Sequence, residues 1–145
     1  MWGDFIRAME AVSANDEIRA VVIAGRGKSF CVGIDLASLG SAPDLSTACD
    51  IRLASEDALF GVRETKIGIV AYVGTLQLLP GVVSAGQVAE LAYTGKDISA
   101  ARAEKIGLVN DVYADADAVE IGDRPLFSVF SAHPTLSRSE RTYTH

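Results

Sequence analysis

Ala20-Val21-Val22-Ile23-Ala24-Gly25-Arg26-Gly27 is a continuously apolar run, β-branched at its centre and stopped by a glycine turn. That pattern predicts a strand buried on both faces. Just upstream, between Asp4 and Ala14, Phe5, Ile6, Met9 and Val12 recur at three-to-four spacing, which places them on one face of a short helix ended by Asn15-Asp16. A helix feeding such a strand points to parallel α/β architecture. Downstream, Asp50 to Ala54 sets Ile51 and Leu53 against Arg52 and reads as a second strand, with Leu59-Phe60-Gly61 as a third. Ser84 is placed to cap a helix carrying Val88, Leu91 and Ala92 with Gly95 just beyond its end, and Ser99 to cap another that stops at Gly107. Leu108 to Tyr113 resumes a strand pattern. From Ala114 on, the sequence turns first acidic and then rich in Ser, Thr, Arg and Pro. It is expected to be an irregular, poorly ordered tail over 114–145.

The composition fits one apolar-rich globular domain: 145 residues, 49 % hydrophobic, 22 % charged and a net charge of −6. An acidic chain without a basic run argues against nucleic acid and anionic membrane surfaces as partners, since both are bound through clustered Lys and Arg. The most apolar stretch, Ile67 to Val83, is interrupted by Gly68, Gly74, Gln77, Pro80 and Gly81, and so makes a poor membrane span. Cys31 and Cys49 are expected as reduced thiols, and with a helical rather than signal-like start the chain is expected in the cytosol, a cytoplasmic protein. No Cys-x-x-Cys pair or Cys/His cluster suggests a metal; His133 and His145 both fall in the polar tail.

Gly25-Arg26-Gly27-Lys28-Ser29 follows a strand and ends like a phosphate-binding loop. The first glycine of that motif would have to stand at position 22, which is Val22, and Gly33 interrupts the helix that should follow. The segment is expected to be a plain glycine turn leaving a buried strand.

More specific are four segments read together: Ser29-Phe30-Cys31-Val32-Gly33-Ile34-Asp35-Leu36, Asp44-Leu45-Ser46-Thr47-Ala48-Cys49-Asp50-Ile51-Arg52, Phe60-Gly61-Val62-Arg63-Glu64-Thr65-Lys66-Ile67-Gly68, and Gly74-Thr75-Leu76-Gln77-Leu78-Leu79-Pro80. In this order they resemble the crotonase superfamily, the enoyl-CoA hydratases and isomerases. The likeness continues through Leu91 to Lys96 and Ala103 to Val109, and covers most of residues 1–113. Gly-Ile-Asp-Leu and Ala-Cys-Asp-Ile-Arg lean it toward the dienoyl-CoA isomerases. The resemblance implies a partial crotonase-like α/β core of short, mostly parallel strands packed with helices.

It also implies a chemistry. Such enzymes hold the oxygen of an acyl-CoA thioester with two backbone N–H groups, which stabilises an enolate, while carboxylates move protons or activate water. The matching positions make Ile34 the first oxyanion amide, Glu64 the main acid/base and Asp44 the second carboxylate, 20 residues before it. Val32, Gly33, Asp35, Leu36, Ser41, Arg63, Ile67 and Tyr72 would lie around the ligand. No cofactor or metal is implied, coenzyme A being part of the substrate. The family forms homotrimers or hexamers.

Each residue also has a plainer reading. Ile34 suits a buried strand-to-helix connection. Glu64 suits a solvated loop residue paired with Arg63 or Lys66. Asp44, after Pro43, suits a helix N-cap. Tyr72 stands where the isomerases place a second acid, and a phenol with a pKa near ~10 is no base at neutral pH; it can donate a hydrogen bond or fill a cleft.

The family pattern breaks between Leu36 and Asp44. There relatives carry a long helical stretch, a buried strand and a Gly-Gly-Gly turn that supplies the second oxyanion amide. Here Ala37-Ser38-Leu39-Gly40-Ser41-Ala42-Pro43 is the whole connection, with Ser41 where that amide belongs. Several dozen residues are missing by this comparison. Loss of one oxyanion donor costs about 10²- to 10³-fold in rate. The alternative to an enzyme is therefore a catalytically dead fragment serving as an interaction or oligomerisation module.

Overall fold

The computed structural model describes residues 2–24, 30–31, 45–71, 74–114 and 128–130. The first helix, α1, spans Trp2–Ser13 and the first strand, β1, Val21–Ile23. Next come β2 at Ile51–Ser55, β3 at Leu59–Phe60, a 3-10 turn at Glu64–Ile67, and the single helical turn α2 at Thr75–Leu78, which tightens into a 3-10 turn over Leu79–Gly81. Helix α3 (Ala85–Thr94), strand β4 (Ile98–Ser99), helix α4 (Ala100–Lys105), and strands β5 (Asp111–Tyr113) and β6 (Ser128–Phe130) complete the order.

The main sheet has the order β1-β6-β2-β5, and a two-stranded ladder joins β3 to β4. Strands β2 and β5 pair in parallel, Leu53 opposite Asp111, while β6 runs antiparallel to both β1 and β2. Hence β1, β2 and β5 share one direction with β6 as the reversed member, and of the described ladders β2–β5 is parallel while the other three are antiparallel. Residues 128–130 were expected to be irregular. They form instead a strand between β1 and β2, facing Val21–Ile23 on one side and Ile51–Arg52 on the other.

Two strand expectations need correction. β1 is not buried on both faces: it is an edge strand, half-buried, with Val22 exposed. In β2 the expected alternation is reversed at its start, Ile51 being exposed and Arg52 buried. The reason is hydrogen bonding. The Arg52 guanidinium donates to the carbonyls of Leu108 (2.6 Å) and Cys49, two buried residues whose carbonyls gain a partner by it. Asn110 locks the same register, its side-chain oxygen accepting from the Arg52 N–H at 2.8 Å and its own N–H donating to the Arg52 carbonyl at 2.7 Å.

The core lies where β2, α2, α3 and α4 meet: Ala54, Val62, Ala71, Leu79, Val83, Leu91, Ala92, Ala100, Ala103, Leu108 and Val109. Ala100 and Ala103 are fully enclosed, and such small side chains bring α4 close against its neighbouring strands. The helix boundaries follow the expected chemistry. The Gln87 side chain accepts from Ser84 N–H (3.2 Å) and Oγ (2.8 Å) at the start of α3, and Gly95 closes it at φ +59°. At α4, Ser99 Oγ accepts from the Arg102 N–H at 3.3 Å. No helix among the described residues is long and apolar enough to cross a membrane. Cys31 is exposed and Cys49 buried, and the two are not bonded.

Candidate functional site

The segment that carries the candidate acid begins where β3 ends. Gly61 leads into buried Val62 and then Arg63, at φ −93° and ψ −2°, before the backbone tightens into the 3-10 turn at Glu64–Ile67. Gly68 stops the turn at φ +72°, a conformation that glycine adopts without a Cβ penalty. The Glu64 carbonyl accepts from the N–H groups of Gly68 and, at 3.0 Å, Ile69. The backbone beneath Glu64 is thus tied to the chain beyond the turn. Glu64 as a residue is half-buried, and its carboxylate has no hydrogen-bond or ion-pair partner among the described residues.

Two glycines and one ion pair brace this turn from α3 and the segment that follows it. A Cβ on Gly95 would lie 2.9 Å from Thr65 Oγ1 and 3.1 Å from Lys66 Cγ, so a side chain there would have to displace them from a left-handed backbone that favours glycine. A Cβ on Gly61 would lie 2.6 Å from Asp97 Oδ1. Into that space comes the Asp97 carboxylate, which accepts from Arg63 Nε at 2.7 Å. Arg63 is thus engaged by Asp97, and the pairing of Glu64 with Arg63 is not formed. The hydrogen bond from Arg63 holds the Asp97 carboxyl below its usual range, with the charges of Arg63 and Lys66 adding to it.

Of the residues expected at the site, the structure places Arg63, Glu64 and Ile67 on this one turn, Ile67 exposed at its end. Val32, Gly33, Ile34, Asp35, Leu36, Ser41, Asp44 and Tyr72 lie outside the described residues. The bracing residues Gly61, Gly95 and Asp97 were not expected at the site. Gly95 carried a signal as a helix stop, whereas nothing local links Asp97 to Arg63, 34 positions earlier. Chemically, a carboxylate on a tied-down turn, without a partner among the described residues, can accept or deliver a proton.

The enoyl-CoA hydratase/isomerase family model matches residues 37–124. Among curated relatives, the mitochondrial delta(3,5)-delta(2,4)-dienoyl-CoA isomerase of Dictyostelium discoideum is 32 % identical over 167 residues, covering 81 % of this chain and 57 % of its own. The peroxisomal enzyme of that name from Arabidopsis thaliana is 30 % identical, over 82 % and 61 %. Among solved structures, an enoyl-CoA hydratase from Mycobacterium smegmatis superposes with a TM-score of 0.72 at 28 % identity, covering 81 % of this chain and 63 % of that one. The chain belongs to the enoyl-CoA hydratase/isomerase family, with the crotonase fold, on the side of the dienoyl-CoA isomerases. It spans a little over half the length of these curated relatives.

Two features of the matches bear on the expected internal shortening. Coverage of 81 % of 145 residues is about 117 residues, so about 50 of the 167 aligned positions with the Dictyostelium enzyme face no residue here. The family-model match also begins at residue 37, directly after Leu36. The cytoplasmic expectation is corrected: the dienoyl-CoA isomerases matched are mitochondrial and peroxisomal proteins.

Proposed function

We propose that this chain acts on acyl-CoA thioesters as a hydratase or double-bond isomerase, with Glu64 as its acid/base. The observation that carries this reading is the placement of Glu64. The residue is half-buried on a backbone-tied turn, and the neighbouring guanidinium is drawn off by Asp97. A carboxylate so placed keeps its lone pairs for a substrate proton. Ile34 would donate its N–H to the thioester oxygen and Asp44 would serve as the second carboxylate, both by their positions in the family motifs. Coenzyme A enters as part of the substrate, and enolate stabilisation by N–H donors with a proton-moving carboxylate needs no further cofactor. With Ser41 in place of the glycine turn, the rate is expected about 10²- to 10³-fold below that of a site with both oxyanion donors.

The test is hydration of crotonyl-CoA and conversion of a 3,5-dienoyl-CoA, each measured for the wild type and Glu64→Gln. The substitution keeps shape and removes the titratable proton, so a fall of about 10²-fold or more in kcat is expected. Equal rates in the two proteins would remove Glu64 from this role.

A further inference from the structure

We propose that Asp97 is a positioning residue for Glu64: by holding the Arg63 guanidinium on its own carboxylate, it keeps that cation off the neighbouring acid. The proposal rests on the reading of Glu64 as the acid/base and extends it to a residue 33 positions away in the chain. Arg63 and Glu64 are adjacent, and the arginine side chain is long enough to fold back onto its neighbour. It does not, because Arg63 Nε donates to Asp97 Oδ1 at 2.7 Å.

The arrangement is built rather than incidental. Asp97 reaches Arg63 over Gly61, where a Cβ would stand 2.6 Å from the accepting oxygen. Asp97 is itself carried to the turn by Gly95, at φ +59°, which packs against Thr65 and Lys66 without a side chain. Gly61, Gly95 and Asp97 thus come from two separate segments and converge on the turn.

The other charges on the elements packed here are accounted for. Lys66, on the turn, adds its attraction to Asp97. Glu90, on α3, pairs with Arg102 of α4 at 3.4 Å. Lys96, next to Asp97, is exposed. With Asp97 neutralised, Arg63 loses its partner, and the nearest anion on its own segment is Glu64. An opposite charge within ~4–6 Å favours the ionised form of a carboxyl group. Such an acid holds its proton less tightly and is a weaker base.

The experiment is a carbon-13 NMR titration of the Glu64 carboxyl group in the full chain, in the wild type, Asp97→Asn and Arg63→Gln/Asp97→Asn. It reads protonation without requiring turnover, so it stands apart from the activity test of Glu64. The expected result is a midpoint moved to lower pH in Asp97→Asn and returned to the wild-type position in the double variant. An unmoved midpoint in Asp97→Asn would overturn the proposal. So would an equal displacement in the double variant, because a merely structural effect of Asp97 does not depend on the Arg63 charge. Where crotonyl-CoA hydration is measurable, the acid limb of kcat/KM should move in the same order across the three proteins.

Discussion

Arg63 and Arg52 show how one residue type takes two roles in this chain. Arg52 is buried and spends its guanidinium on the carbonyls of Leu108 and Cys49, tying the segment ahead of β2 to the end of α4. Arg63 is largely exposed and spends its on Asp97. The second pair has a pH signature whose sign follows from its direction. Asp97 titrates below its ordinary value in the folded chain, so the stabilisation from its ionised form is present above the unfolded carboxylate pKa of about 3.9 and is lost as pH falls through the lower folded value. The urea midpoint of the wild type should therefore exceed that of Asp97→Asn by a small constant margin near neutral pH. The margin should close below about pH 4. A margin that widened as acid was added would contradict the pairing.

At the level of elements, α3 is the piece that holds the candidate site. Its start is set by Ser84 and Gln87, and its end by Gly95, whose left-handed backbone lets the chain turn toward Asp97 while leaving room for Thr65. Gly95→Ala must place a Cβ in a conformation costing about 1–2 kcal/mol for other residues, and must also push against Thr65 Oγ1. The variant should unfold at lower urea by about that amount. Amide exchange at Gly68 and Ile69, whose N–H groups close the Glu64 turn, should quicken, as hydrogen-exchange mass spectrometry or NMR would show. An unchanged midpoint with unchanged exchange would separate α3 from the turn. Most of this element was readable in advance, since Ser84, the apolar positions Val88, Leu91 and Ala92, and Gly95 are all local signals. Its hold on Glu64 was not, because the contact joins residues some 30 positions apart and depends on what a missing Cβ allows.

Across the whole molecule, the strand order β1-β6-β2-β5 joins segments from both ends of the described chain. Strands β1 and β2 are parallel and follow one another among the described elements, yet they do not pair with each other; β6, from much later in the chain, lies between them and pairs with both. Without β6 the facing edges of β1 and β2 would expose unpaired N–H and C=O groups. Val129 faces Val22 on one side and Ile51 on the other. Proline there removes a ladder donor from an internal strand. Val129→Pro should raise amide exchange in both β1 and β2 by roughly tenfold or more, what a loss of about 1.4 kcal/mol in local stability produces. Exchange unchanged in both strands would show that β6 contributes nothing to them.

Local rules, acting over three or four residues, determined what could be read from the sequence: the helix of Phe5, Met9 and Val12, the capped ends at Ser84, Gly95, Ser99 and Gly107, the strands at 21–23 and 51–55, and, through motifs in a fixed order, the family and the choice of Glu64. The tertiary structure alone decided that Arg52 is buried while Ile51 is exposed, that β1 is an edge strand, that residues 128–130 enter the sheet, and that Arg63 answers to Asp97 rather than to Glu64. The physical reason is common to all four. Burial, strand order and the partner of a long charged side chain depend on which distant backbone arrives alongside, and no pattern confined to neighbouring residues carries that information.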